Sequence, residues 1–336
     1  MKIKINLHKN VPKMLSKSVK HNLIVINSTK SDFFTDPVKA KIKRLKLKFN
    51  DLEDKFLSID DEHQAHTVIL KASDKSAFKI QTQLRKSLKN ILDENPAEIT
   101  LICETENLSW NRELLYTALI NSQDLPSRKN KRDKKSLKVI NFYGNLDTQD
   151  IKEIEAIVEG NTLSRVLTIT PPNDLTPTLY RKAIKKLASK SKWKINEYTM
   201  PQLKKMGAGA FVAVGQGSEP QDAAIVHLTY TPKVYKKQVT LVGKGICFDT
   251  GGHNLKPSKY MYSMHEDMNG SATALGILHA ATESKLPIKI DCWLAIAQNH
   301  IGPNAYKQND VVKALNGKTI ELFIQMLRDE WFSQIH

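Results

Sequence analysis

Leu241–Pro257, LVGKGICFDTGGHNLKP, carries the densest chemistry in the chain. An apolar run reaches Gly243-Lys244-Gly245. Asp249, Gly251-Gly252 and Lys256-Pro257 follow, and Asp267 comes near the start of an expected helix. In open α/β sheets, sites form at the edge where strands end in loops. Two aspartates and two lysines brought to such an edge have a chemical use. Asp249 and Asp267 are hard oxygen donors suited to Mn2+, Mg2+ or Zn2+. A lysine beside a cation at a low-dielectric site loses its proton readily, and the neutral amine can bind metal. A second lysine that keeps its charge can polarise a carbonyl oxygen. The glycines let backbone approach closely. The same residues also occur in ordinary surface turns. Gly-Lys hints at a phosphate loop as well, but the G-x-x-x-x-G-K-[ST] spacing is missing.

The surroundings alternate strands and helices, which predicts an α/β layer architecture. After the quoted stretch, Met264–Ser284 reads as a helix with small residues on one face, and Ile288–Ala297 as a buried strand. Before it, Ala223–Tyr230 and Gln238–Val242 read as strands, Thr178–Ser189 as a helix and Trp193–Tyr198 as a strand. Thr170-Pro171-Pro172-Asn173 reads as a turn. Further back, strands are expected at Thr67–Lys71, Ile99–Cys103 and Val139–Tyr143, with helices at Gln81–Leu92 and Leu108–Ile120. Residues 1–60 read as irregular apart from one strand-like run, His21–Asn27. A helix over Asp150–Leu167 divides the chain. The expected domains are a variable α/β domain at 1–150, a linking helix at 151–168 and a catalytic domain at 169–336.

The chain has 336 residues, long for a single core. No apolar run reaches the roughly 18 residues of a membrane span. The start, MKIKINLHKN, has charge without an apolar block behind it, so no signal peptide is expected. Cys103, Cys247 and Cys292 lie far apart without C-x-x-C spacing, which points to thiols in a reducing compartment, the cytoplasm. The net charge of +16 raises the question of nucleic acid, but only eight of the 51 basic residues are arginine. Recognition of phosphates and bases recruits arginine for its planar fork. The lysines, including those of the loop Ser127–Ser136, read as a solvated surface, and neither nucleic acid nor membrane is an expected partner.

Val242–Pro257 and Met264–Ala272 together resemble the signature of the leucyl (cytosol) aminopeptidases, V-G-K-G-x-x-F-D-S-G-G-x-x-L-K-P followed by M-x-x-D-M-x-G-A-A. Further matches are Pro171-Pro172-Asn173, Gly207–Phe211 and Gly317–Glu321, so the resemblance runs in register over about 165–321. It implies a variable N-terminal domain before a catalytic domain with a central mixed sheet. It implies metal-ligand roles for Lys244, Asp249 and Asp267, with Asp249 bridging two divalent ions, Mn2+ or Zn2+. Lys256 matches the lysine that polarises the scissile carbonyl, and Met264 a wall of the pocket for the first side chain. The implied reaction removes N-terminal residues from peptides. The family is hexameric and uses bicarbonate held by an arginine.

The pattern fails after Glu321. The family continues with a motif of the form H-T-D-A-E-G-R-x-V-L-A-D, whose Asp and Glu complete the metal ligands. This chain reads Leu322 to His336, LFIQMLRDEWFSQIH, with Asp329 and Glu330 in another context. Codons begun at the third base of those from Phe323 onward permit H-T-D-A-E-G-R-M-V-L-A-D, which suggests a shifted reading frame and an impaired or inactive enzyme. The alternative is a non-catalytic basic, nucleic-acid-binding protein on the same scaffold. Smaller departures are Ile169, Gln298-Asn299-His300 and Asn309. His253, His265 and His300 read as surface or packing residues.

Overall fold

Leu23, Val25, Ile24 and Ile26 point alternately to two faces of one strand, and all four are buried. A strand buried on both faces belongs in the middle of a parallel sheet covered on each side. In the computed structural model, which describes residues 3–15, 18–61, 65–129 and 135–322, that is where it lies. The chain divides into two units, residues 1–158 and 159–336.

The first unit contains β1 (Lys4–His8), β2 (His21–Ile26), α1 (Asp36–Arg44), β3 (Leu57–Asp60), β4 (His66–Lys71), α2 (Ala77–Leu92), β5 (Glu98–Cys103), α3 (Leu108–Asn121) and β6 (Val139–Tyr143). The strand order is β1-β6-β5-β2-β4-β3, parallel except for β3 against β4. Leu23, Val25, Val68 and Leu70 pack against Leu84, Leu88 and Trp110 on one face. Ile24, Ile26 and Ile69 meet Phe33, Val38 and Leu52 on the other. Residues 1–60 are therefore not irregular. They supply β1, α1 and β3, whose sparse apolar residues are hidden among lysines; Val38 is the buried residue of α1.

α4 (Thr148–Thr168) contains the division between the units. The second unit continues with α5 (Pro177–Ser191), β7 (Lys194–Thr199), α6 (Met200–Met206), α7 (Gly209–Gly215) and β8 (Ala224–Tyr230). Then come β9 (Lys237–Asp249), α8 (Ser258–Met261), α9 (Asn269–Glu283), β10 (Ile288–Asn299), β11 (Val311–Lys313) and β12 (Thr319–Glu321). Pro177 opens α5 and the Thr176 hydroxyl accepts from the Leu179 N–H, a well-capped start. The four-stranded sheet has the order β7-β8-β10-β9 and is mixed: β9 runs parallel to β10, while β8 is antiparallel to both its neighbours.

Two expectations need correction here. β9 does not stop at Val242 but stays paired with β10 as far as Asp249, opposite Asn299. Its glycines mark close approach rather than a loop: a Cβ on Gly243 would stand 2.5 Å from Ser271 Cα, and one on Gly245 2.8 Å from the Ala295 carbonyl oxygen. Met264–Ser284 is also not one helix. Met264–Met268 forms a 3-10 turn and α9 begins at Asn269. Part of the basic stretch Ser127–Ser136, and everything after Leu322 including Asp329 and Glu330, lies outside the described residues. Among the described residues no helix is long and apolar enough to cross a membrane.

Candidate metal and peptide site

The C-terminal end of β9, the following loop and the 3-10 turn before α9 bring four of the singled-out side chains together. Lys244 Nζ donates to Asp267 Oδ1 at 2.8 Å and also lies 2.8 Å from Oδ2. Lys256 Nζ donates to Asp249 Oδ2. The other Asp249 oxygen accepts from Asn299 Nδ2 at 2.6 Å and from the Gly251 N–H at 2.9 Å. The result is a row of two carboxylates and two ammonium groups with every charge opposed.

Local structure fixes each member. Lys244 and Asp249 sit in a strand held in register by β10. The loop is tied back where Thr250 N–H donates to the Asn299 carbonyl and Lys256 N–H to the Thr250 carbonyl, both at 2.8 Å. Gly251 adopts φ +91°, and a Cβ there would meet the Asn254 carbonyl oxygen at 2.3 Å, so only glycine fits that bend. Beneath the turn carrying Asp267, the buried Ser271 hydroxyl bonds the Met268 carbonyl at 2.7 Å and the Tyr180 hydroxyl at 2.9 Å.

The electrostatics set Asp267 apart. Burial pushes its carboxyl above the ordinary aspartate value; Lys244 pulls it back in part, and the Asp249 charge adds to the rise. Its Oδ2 is buried, with the Lys244 ammonium 2.8 Å away. A cation that takes the place of that ammonium and also reaches Asp249 is a chemically suitable partner. Among the described residues no three His, Cys, Asp or Glu side chains are already gathered for a metal ion. A lysine amine must therefore complete any ligand set made from what is described here.

The remaining singled-out residues divide. Met264 is half-buried and stands on the same 3-10 turn as Asp267. His253 is exposed, His265 half-buried, and the His300 ring bonds the neighbouring Ile301 carbonyl. Cys103, Cys247 and Cys292 are buried and form no disulfide. Burial pushes the Cys103 and Cys292 thiols up to about 12, so they are inert as nucleophiles. Asn299 is the residue sequence reasoning missed. It was visible as part of Gln298-Asn299-His300, but its hold on Asp249 depends on a strand pairing between residues 50 positions apart.

Residues 162–323 match the Cytosol aminopeptidase family, catalytic domain. A probable cytosol aminopeptidase of Prochlorococcus marinus is 38% identical over 177 residues, which is 51% of this chain and 35% of that protein. The match thus spans about a third of the length of such relatives. Among solved structures, leucyl aminopeptidase from Trypanosoma brucei in complex with bestatin superposes with a TM-score of 0.78 at 22% identity, covering 96% of this chain and 66% of the other. The bottromycin maturation enzyme BotP in complex with Mn gives 0.73 at 23% identity, covering 91% and 65%. At such identities these two likenesses concern the fold.

Proposed function

We propose, from the match of residues 162–323 to the catalytic domain of the cytosol aminopeptidase family, that the cluster at the end of β9 is the core of a metallo-aminopeptidase site acting on the N-termini of peptides. Lys244, Asp249 and Asp267 would hold a divalent cation. The observation that carries this is the convergence of two carboxylates and two lysine amines at the end of β9, each carboxylate paired with an amine. Such an ion supplies Lewis acidity toward a carbonyl group and a water molecule.

The chain's own residues have separate tasks in this reading. Asn299 and the Gly251 N–H hold one Asp249 oxygen, leaving the other to Lys256 and open to a cation. Lys256, half-buried as an ammonium, donates to a peptide carbonyl oxygen once a substrate competes for it. Met264 borders the space for the first side chain. Lys244, the present partner of Asp267, would add its amine nitrogen to the ligand set.

The family resemblance further leads us to include two Mn2+ or Zn2+ ions, bicarbonate, a hexamer and a cytoplasmic setting. Three ligands are too few for a firmly held pair of ions. The stretch from Leu322 to His336 does not read as the family's last motif. We therefore expect the 336-residue chain to release leucine from a leucyl peptide slowly or not at all with Mn2+ present. A rapid Mn2+-dependent rate, lost in Asp267→Asn, would overturn the impairment while sustaining the site. A rapid rate unchanged in Asp267→Asn would overturn the site itself.

A further inference from the structure

One polar side chain interrupts the apolar run of β2. Asn22 is fully buried and shares a sheet face with Ile24 and Ile26, two and four residues further on. Its Nδ2 donates to the Thr67 hydroxyl of β4 at 3.2 Å, while its Oδ1 is buried without a partner. An interior parallel strand is ordinarily apolar on both faces, and valine or isoleucine here would leave no buried acceptor unpaired. The oxygen calls for a donor that the surrounding protein does not supply.

The same face borders a cavity of about 550 Å3, inside the roughly 300–1,000 Å3 of small-molecule pockets. Leu15, Ile24, Phe33, Val38, Ile59 and Ile69 line it beside Asn22 and Thr67. All six apolar residues belong to one hydrophobic cluster or pack against it, so the walls are part of the folded body of the unit. The charged lining residues are exposed and mark the mouth. Asp32, Asp60 and Asp61 stand there against a single lysine, Lys13, in a chain of net charge +16. Asn22 pairs in register with Thr67, and Thr67 with Ile59, the neighbour of Asp60. The unpartnered oxygen and the acidic mouth therefore lie at the same edge of the sheet.

We propose that this cavity binds a small hydrophobic ammonium compound, an aromatic or branched aliphatic body carrying one protonated amine. The body covers the apolar walls. One ammonium N–H donates to Asn22 Oδ1, a hydrogen bond strengthened by the donor's charge. The carboxylates at the mouth add a negative field, which a cleft with low-dielectric walls concentrates. A carboxylate on the same body meets the opposite conditions, facing three acids and an amide oxygen that can only accept. The site lies wholly in the first unit and does not depend on the reading of the cluster on β9.

Tryptamine and indole-3-propionate share one ring system and differ in the sign of their charge, so they serve as probes. Calorimetric titration of the full chain, with a chelator present to keep divalent ions from the cluster on β9, compares them. Tryptamine should bind as one equivalent and at least about tenfold more tightly than indole-3-propionate. Asn22→Leu keeps the side-chain shape and removes the acceptor; it should weaken tryptamine by about tenfold or more. Asp32→Asn/Asp60→Asn alters only exposed residues and should narrow the preference for tryptamine severalfold. Failure of tryptamine to bind, equal binding of the two probes, or unchanged tryptamine affinity in either folded variant would overturn the proposal.

Discussion

β2 lies inside its sheet and β9 at one end of the order β7-β8-β10-β9, and the two strands are made on opposite plans. β2 fills its length with Leu23, Ile24, Val25 and Ile26, each buried against a helix or loop on one face or the other. β9 gives up side chains at Gly243 and Gly245, where neighbouring backbone comes within contact distance, and carries Lys244 and Asp249. The first strand stabilises its unit by apolar burial. The second places charge, and its stability comes from backbone pairing and from how closely the 3-10 turn and α9 approach. A sheet can thus be strong in one unit for reasons that would be useless for chemistry in the other.

The contrast is broken most severely by putting a side chain where β9 has none. Gly243→Val forces a Cβ against Ser271 Cα, and overpacking of this kind costs roughly 3 kcal/mol or more. Loss of the cooperative melt of the second unit, with the first retained, is the expected result by differential scanning calorimetry. The converse change, Leu23→Ala in β2, leaves a cavity and should cost about 2–5 kcal/mol in the first unit, read by urea denaturation. Equal sensitivity of both units to each change would show that the two strands are not built differently.

Two carboxylates of the second unit, Glu197 on β7 and Asp267 on the 3-10 turn, sharpen the comparison. Burial works to raise Glu197, but Arg181 and Lys185, at 3.1 and 2.5 Å, outweigh it and hold the carboxyl below its ordinary value. A depressed carboxylate stabilises the fold above its unfolded-state value, and that stability disappears as pH falls through the folded-state value. Glu197→Gln should therefore cost about 1.5–3 kcal/mol at pH 7 and nothing after full protonation, as measured by thermal melts across pH. Asp267 is shifted the other way, so its ionised form is the one the fold disfavours. The native state then gains stability as pH falls through its raised value. Asp267→Asn should be neutral to slightly stabilising at pH 7 without metal, with the difference vanishing in acid.

Much of this was legible beforehand where local pattern and tertiary role agree. Val139–Tyr143 was bounded as found because its apolar run is flanked by loop residues, and Leu108 marked the start of α3 because Asn107 caps it. The cluster of Lys244, Asp249, Lys256 and Asp267 was readable as a motif, since 24 residues of chain hold all four. What failed had physical causes. α1 carries so many lysines that a lone buried valine left no visible stripe. β9 looked finished at Val242 because glycine ordinarily weakens a strand, and the reason for it, the nearness of Ser271, is tertiary. Asn299 acts on Asp249 only through the pairing of β9 and β10.

We propose that Lys244, Asp249 and Asp267 together bind a divalent ion. Mn2+ binding followed by electron paramagnetic resonance tests this most directly, because that hard ion favours oxygen donors such as these two carboxylates. Bound Mn2+ is expected in the full chain, with at least tenfold weaker binding in a folded Asp249→Asn/Asp267→Asn variant. Mn2+ that stays free in solution, or that binds the double variant as well as the parent, would contradict it.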